Sequence, residues 1–289
     1  MQRQNASGIL FMIFGIACFA AMDASGKWVV KDYSVFQLLA VRSSLCLLIL
    51  AALVPFFGGR KAMRTPRPWA HLARALASAL AFLFFYSALR FLPLANAVAV
   101  EFGSPFLVTA LAVPILGERV DRGRWAAVFA GFAGMLLVVK PTAAAVRPEA
   151  LLALASSFCY ALMMVMTRWI AQRGGGSETT FTFVAFIFLV QTIVGYLGGV
   201  WQWKPMTVLD LALSAGVGVF ALGGHYGLTS AFQRAPASVV APFEYTALVW
   251  ATLFGFLIYG DFPQPAVWMG VAVIVGAGLY TLRRESSLQ

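Results

Sequence analysis

Charge is what this sequence has least of. Asp, Glu, Lys and Arg make up 11% of the 289 residues and hydrophobic residues 61%, where soluble domains carry about 25% charged residues. No soluble core of this length could hide so much apolar surface, so lipid must serve as part of the solvent. Histidine is nearly absent, at two residues, and the three cysteines, Cys18, Cys46 and Cys159, all fall inside apolar runs. They read as small core residues, which excludes a disulfide frame and a metal site. No glycine loop suited to phosphate is present, nor a serine accompanied by a histidine and an acid. The chain therefore offers no enzyme's catalytic cluster and calls for no cofactor.

Acidic residues are scarcer than basic ones, 11 against 21, for a net charge of +10. In a soluble chain that surplus would suggest nucleic acid. Here the basic residues sit mostly between apolar runs, so the expected partners are the lipid bilayer and a small-molecule substrate, with no nucleic acid.

What the sequence does have is a repeat. At an offset of 143 residues Pro93 meets Pro236, Glu101 meets Glu244, Gly117 meets Gly260, Glu118 meets Asp261 and Trp125 meets Trp268. Earlier in each half, Cys18-Phe19-Ala20 faces Cys159-Tyr160-Ala161 and Lys27-Trp28 faces Arg168-Trp169, at an offset of 141. A two-residue change in one loop reconciles the offsets, and the chain reads as two copies of one unit, residues 1–144 and 145–289. The apolar stretch after Arg3 has its twin in mid-chain, at 150–169, so it is expected to be a retained helix and not a cleaved signal.

The apolar background divides into ten runs near the ~20 residues that cross a bilayer. They lie at 8–30, 35–57, 70–90, 95–116, 123–140, 149–171, 179–201, 208–232, 237–259 and 265–282. The fold expected is an all-α membrane protein of ten transmembrane helices. With the amino terminus inside, thirteen basic residues fall on the inner side and six on the outer, which places both termini in the cytoplasm. Five helices per copy is an odd number, so the copies enter the membrane with opposite polarity. Such inverted repeats commonly enclose a substrate site at the midplane that opens to either side in turn.

A few polar residues stand out against this background. Glu101 and Glu244 lie too deep in their runs to reach an interface, and an intramembrane acid normally faces a cavity or a partner. Pro105 and Pro242 lie close to them and can free a backbone carbonyl at a hinge. His225, beside Tyr226 in the eighth run, could meet a substrate carboxylate or a neighbouring carbonyl. Phe82, Tyr86 and Arg90 share one face of the third run, Tyr160, Met163, Met164 and Thr167 one of the sixth, and Tyr245 and Trp250 flank Glu244. The substrate-binding set expected is Phe82, Tyr86, Glu101, Ser104, Tyr160, Met163, His225, Glu244 and Tyr245. Asp23, Arg42, Pro105 and Pro242 form a gating or hinge set, in which Asp23 has Lys27 one turn away and Arg42 has Asp23 and Asp32 as candidate partners.

The pattern of a fourth helix ending in Gly117-Glu118 or Gly260-Asp261, followed by a Trp-containing helix, together with Ala235-Pro236-Ala237-Ser238 to Glu244-Tyr245, resembles the EamA family of the drug/metabolite transporter superfamily. Asp261 stands where that family usually has glutamate. The resemblance covers the whole chain and implies an inner-membrane transporter of small metabolites working by alternating access. Within the family the chain looks most like exporters of aromatic or neutral amino acids of the YddG type; the alternative is uptake of S-adenosylmethionine, riboflavin or another metabolite. A desolvated glutamate could couple transport to protons, and a facilitator is equally compatible. The reading from another class is a non-transporting membrane scaffold whose acids only hold helices together. One chain can close the cavity, so a monomer suffices, and a homodimer is compatible.

Overall fold

The computed structural model describes residues 2–57, 65–91, 101, 104–118, 148–173 and 179–259, with short pieces between 120 and 133. Every regular element among the described residues is a helix. The elements are α1 (Gln2–Val29), α2 (Val35–Leu53), α3 (Pro68–Ala88), α4 (Ser104–Leu116), α5 (Pro148–Arg173), α6 (Thr180–Gly199), α7 (Val208–Arg234), α8 (Ala237–Val240) and α9 (Thr246–Tyr259). Short 3-10 turns extend α2 over Val54–Phe57 and α6 over Val200–Gln202, and another joins α8 to α9 over Ala241–Tyr245. Among these residues six helices are long and apolar enough to cross a membrane, and large apolar side chains such as Leu10, Leu48, Leu197 and Val208 point outward from them. The tenth expected helix, most of the fifth, Pro93, the Gly260-Asp261 pair and Trp268 lie outside the described residues.

Helix starts follow local chemistry. Ser34, Thr179 and Thr207 each cap a helix by accepting from the backbone N–H three residues on, at 3.1, 3.1 and 3.2 Å. Such a cap satisfies one of the donors that the first turn leaves open. At the other end, Gly117 closes α4 with φ of +69°, a conformation a side chain resists. The Glu118 N–H then reaches back to the Ala112 carbonyl at 3.3 Å and the Gly117 N–H to Val113 at 3.1 Å, the bonding of a glycine-closed helix end. The turn delivers Glu118 Oε1 to the Ala237 N–H at 3.0 Å, the first residue of α8, and to within 3.9 Å of the Arg168 guanidinium. The Gly-Glu pair thus ties α4 to α5 and α8.

One expected helix is interrupted. The run 237–259 is not one α-helix but α8, the 3-10 turn and α9, with Pro242 and Glu244 inside the turn. Pro242 has no N–H to continue an α-helical ladder. Pro105 stands second in α4, in its first turn, where a missing N–H is tolerated.

The helices pair across the two copies. α1 packs chiefly on α7, α3 on α5, α2 on α6, with further contacts of α3 on α6, α2 on α7, α4 on α5 and α1 on α9. Exchanging the copies turns α1 into α5, α2 into α6, α3 into α7 and α4 into α9, and each of these pairings maps onto another in the set. α2 meets its own counterpart α6 antiparallel. Gln37 bonds to Lys204, Ala40 abuts Gly195, and Arg42 and Ser43 reach Gln191, so rising numbers on one helix meet falling numbers on the other.

Candidate functional site

Where these helices cross they enclose a cavity of ≈ 180 Å³. It is lined from α1 by Phe19 and Asp23, from α2 by Arg42, from α3 by Phe82 and Tyr86, and from α4 and α5 by Ser104 and Tyr160. His225 of α7, Glu101 and Glu244 complete it. Of the expected substrate-binding set, Phe82, Tyr86, Glu101, Ser104, Tyr160, His225 and Glu244 share this one cavity, together with Asp23 and Arg42 of the gating set. Met163 is fully buried in the core behind it, among Met164, Val165 and Ile187, and does not line it. The side chains of Tyr245, Pro242 and Pro105 are not among those described; their backbone stands in the turn before α9 and in the first turn of α4.

Each polar lining residue is held by a neighbour. The Tyr86 hydroxyl donates to Asp23 Oδ1 at 3.0 Å, and its ring stacks on Phe82 with centroids 4.2 Å apart. Arg42 lies over the Phe82 ring as well, its guanidinium carbon 3.8 Å from the ring centre. Its two terminal nitrogens donate to Met22 Sδ and to Gln191 Oε1, each at 3.1 Å, while Gln191 donates in turn to Ser78 at 3.1 Å. A cation placed on an aromatic face and hydrogen-bonded to neutral acceptors keeps part of its solvation inside the bilayer.

The two repeat-related glutamates are each bound by one serine. Ser104 donates to Glu244 Oε2 at 2.8 Å, crossing from the first copy to the second. Ser156 lies 2.9 Å from Glu101 Oε1 and also 2.9 Å from the Ala81 carbonyl. Its single proton serves one of them at a time. Glu101 Oε2, Glu244 Oε1, Arg42 Nε and His225 Nδ1 are buried with no hydrogen-bond partner among the described residues. His225 is gripped edge-on by Phe19 and Phe188, at 5.1 and 5.6 Å between centroids. Buried polar atoms are normally satisfied, so a cluster of open ones around a cavity marks it as the candidate site.

The sequence reading passed over Gln191, Ser78, Ser156, Met22 and Phe19, which hold or line the cavity. Gln191 had a signal: it is the only amide in the apolar helix α6. The serines and Met22 had none, since small and thioether side chains are common packing residues in membrane helices.

The EamA-like transporter family model matches this chain twice, over residues 6–140 and 147–283. A riboflavin transporter of Rhizobium johnstonii is 30% identical over 281 residues, 96% of this chain and 91% of that protein. An S-adenosylmethionine uptake transporter of Rickettsia bellii is 23% identical over 283 residues, covering 96% and 94%. A riboflavin transporter of Brucella anthropi is 24% identical over 282 residues, covering 95% and 98%. One solved crystal structure superposes over 98% of this chain and 99% of its own with a TM-score of 0.82, at 19% identity, a likeness of fold. The names these relatives carry are those of riboflavin and S-adenosylmethionine transporters, not of the amino-acid exporters that the sequence resemblance brought forward.

Proposed function

Because the chain belongs to the EamA-like transporter family and is a multi-pass bacterial membrane protein, we propose that it is an uptake carrier for a ring-bearing, hydrogen-bonding metabolite of the riboflavin or S-adenosylmethionine kind. The observation that carries this reading is the cavity built from both copies, where an aromatic stack shares the lining with two glutamates, each with one buried, open oxygen. Phe82, Tyr86 and Tyr160 receive the ring, the open oxygens of Glu101 and Glu244 accept from its donors, and His225 supplies a further polar contact. Ser104 holds Glu244 in place, and Met163 backs the wall. The relatives' names favour such metabolites over amino acids, and the S-adenosylmethionine relative's name states uptake.

The transport cycle rests on the architecture proposed with it: ten helices in two inverted five-helix copies, residues 1–144 and 145–289, both termini cytoplasmic. The antiparallel run of α2 against its counterpart α6 supports the inversion, because an axis in the membrane plane reverses helix direction and an axis along the normal does not. At ≈ 180 Å³ the cavity is below the roughly 300 Å³ at which ligand pockets begin. A flavin-sized substrate therefore needs the flanking helices to part, the motion that alternating access supplies.

Uptake of labelled riboflavin, S-adenosylmethionine and tryptophan into proteoliposomes, with and without a pH gradient, tests the proposal. Saturable entry of one of the first two is expected, and Glu244→Gln is expected to lower it about tenfold or more, the size of one charge-assisted hydrogen bond. Its melting temperature should hold, since the amide oxygen still accepts from Ser104. Entry of tryptophan alone would return the reading to amino acids. Folded protein that moves none of the three, and that no ligand stabilises, would favour the scaffold.

A further inference from the structure

A second concavity, of ≈ 840 Å³, lies where the carboxyl-terminal ends of α1 and α3 meet the turn after α6. Its wall carries Lys27, Lys31, Arg90 and Lys204 against one acid, Asp32. Lys31, Arg90 and Lys204 are solvent-exposed. Neighbours hold each of them: Arg90 donates to the Tyr33 carbonyl and Lys204 Nζ to the Asp32 carbonyl, each at 3.1 Å, and Lys31 stands 5.3 Å over the Trp28 ring. Trp201 and Trp203 complete the rim, Trp201 at 93% exposure and Trp203 stacked on Tyr196 at 5.5 Å.

The setting is built and not a chance gathering of long side chains. Gln37 donates to the Lys204 carbonyl at 2.6 Å and accepts from its N–H at 3.1 Å, so the turn bearing Trp203 and Lys204 is pinned to α2. The Tyr33 hydroxyl donates to Asp210 at 2.7 Å and pins the opposite wall to α7. In the orientation expected from the sequence this is the outer end of the bundle, where basic residues are disfavoured. Of the six basic residues expected on that side, four converge on this one hollow. Like charges gathered around a cavity repel one another, and an anion between them relieves that repulsion, most strongly at low salt.

The hollow lies at the ends of two helices, α1 and α3, that also line the central cavity. Asp23 and Lys27 lie one turn apart on α1, with Lys31 four residues further on in the turn after it, and Arg90 follows Tyr86 by four residues just past the end of α3. One or two helical turns, about 5 to 11 Å, separate the basic mouth from the acidic centre.

We propose that this mouth is a second binding site, recognising a ring-bearing metabolite through a phosphate or carboxylate, and that it holds the ligand's anionic end before the ring descends into the central cavity. The volume falls within the roughly 300 to 1,000 Å³ typical of small-molecule sites. Indole faces suit a planar ring, and exposed ammonium and guanidinium groups suit a phosphate or carboxylate. The polarity of the path, basic mouth and acidic centre, passes a neutral molecule or a zwitterion and retains a pure anion at the mouth. Binding of the anion stands on this hollow alone, whereas the descent of the ring rests on the central-cavity reading above.

Riboflavin and riboflavin 5′-phosphate share one ring and differ by a phosphate, so they serve as the probe pair. Binding to the full-length protein is read by flavin fluorescence at low salt, in nanodiscs of phosphatidylcholine and in nanodiscs containing phosphatidylglycerol. In phosphatidylcholine the phosphate ester is expected to bind about fivefold tighter than riboflavin, as screened exposed charges allow. That preference should vanish in the Lys31→Gln/Lys204→Gln double variant and persist in Lys31→Arg/Lys204→Arg. Persistence in phosphatidylglycerol discs assigns the site to a soluble anion, and suppression there assigns the same phosphate chemistry to a lipid headgroup. No preference in phosphatidylcholine, or a preference that survives the Gln variant, overturns the site. Riboflavin uptake measured alongside keeps that failure distinct from failure of the central-cavity reading.

Discussion

Arg74 shows how a single residue can hold four helices. It is fully buried on α3, and its guanidinium donates to Thr167 Oγ1 of α5 at 2.6 Å, to the Phe183 carbonyl of α6 at 3.1 Å and to Thr229 Oγ1 of α7 at 3.1 Å. Thr167 passes its own proton to the Met163 carbonyl at 2.8 Å, so its hydroxyl is free to accept. A lysine carries one compact ammonium and cannot meet three divergent acceptors as the planar fork does. Arg74→Lys is therefore expected to lower stability by about 2 to 3 kcal/mol, the cost of leaving buried acceptors without donors. Thermal unfolding in detergent measures it; a variant as stable as the parent would show that the fork is dispensable. Little of this was legible in the sequence. Arg42 stood out within an apolar run with Asp23 and Asp32 as candidate partners, yet it bonds to Gln191, and Arg74 bonds to Thr167 and Thr229, polar groups too small or too ordinary to register beside an expected acid. The acids themselves were legible because a deep carboxylate is rare in any membrane helix.

At the scale of elements, α-helices were the easiest part to read and the break between α8 and α9 the hardest. The run expected at 208–232 is α7 at Val208–Arg234, and that expected at 35–57 is α2 with its 3-10 extension to Phe57. Length and caps announced these helices. The interruption at Ala241–Tyr245 left no mark in apolar periodicity, because apolar residues surround Glu244 on both sides, and proline beside glutamate reads equally as a mild kink. Yet its consequence is large. A 3-10 turn advances about 120° per residue and an α-helix about 100°, so five residues of 3-10 rotate α9 by about 100° relative to a continuous helix. Glu244 meets Ser104 from within the turn, and the Thr246 hydroxyl secures the exit by donating to the Phe243 carbonyl at 2.7 Å. Pro242→Ala restores an N–H and permits the α-helical ladder to run through. The expected result is uptake reduced several-fold with thermal stability equal or higher, a split that separates positioning from folding. Unchanged uptake would mean that packing, and not proline, dictates the turn.

For the whole molecule, the pairing of helices maps onto itself when the copies are exchanged, but the chemistry of matching seams does not. α1 and α7 meet on glycine: a methyl placed on Gly227 would lie 2.7 Å from Gly15 Cα and 2.8 Å from the Phe11 carbonyl. Backbones this close leave no room for a side chain, the mode of association favoured between membrane helices. The equivalent seam, α3 on α5, has no glycine in either helix and is joined by Arg74–Thr167 and Ser156–Ala81 bonds. If the two copies trade conformations during transport, the tight glycine seam and its polar twin must exchange degrees of closure, so α1 and α7 must shift against each other. Cys18 offers a way to test this. A Cβ at Gly223 would stand 3.6 Å from Cys18 Cβ, within the range a disulfide spans, and the nearer Cys18 sulfur, at 2.9 Å, can turn away. In Gly223→Cys, oxidation is expected to link α1 to α7 and abolish uptake, with recovery on reduction and no effect of oxidant when Cys18 is replaced by Ala. Full uptake by the linked protein would instead make α1 and α7 one rigid body, and would move the opening to the polar seam between α3 and α5.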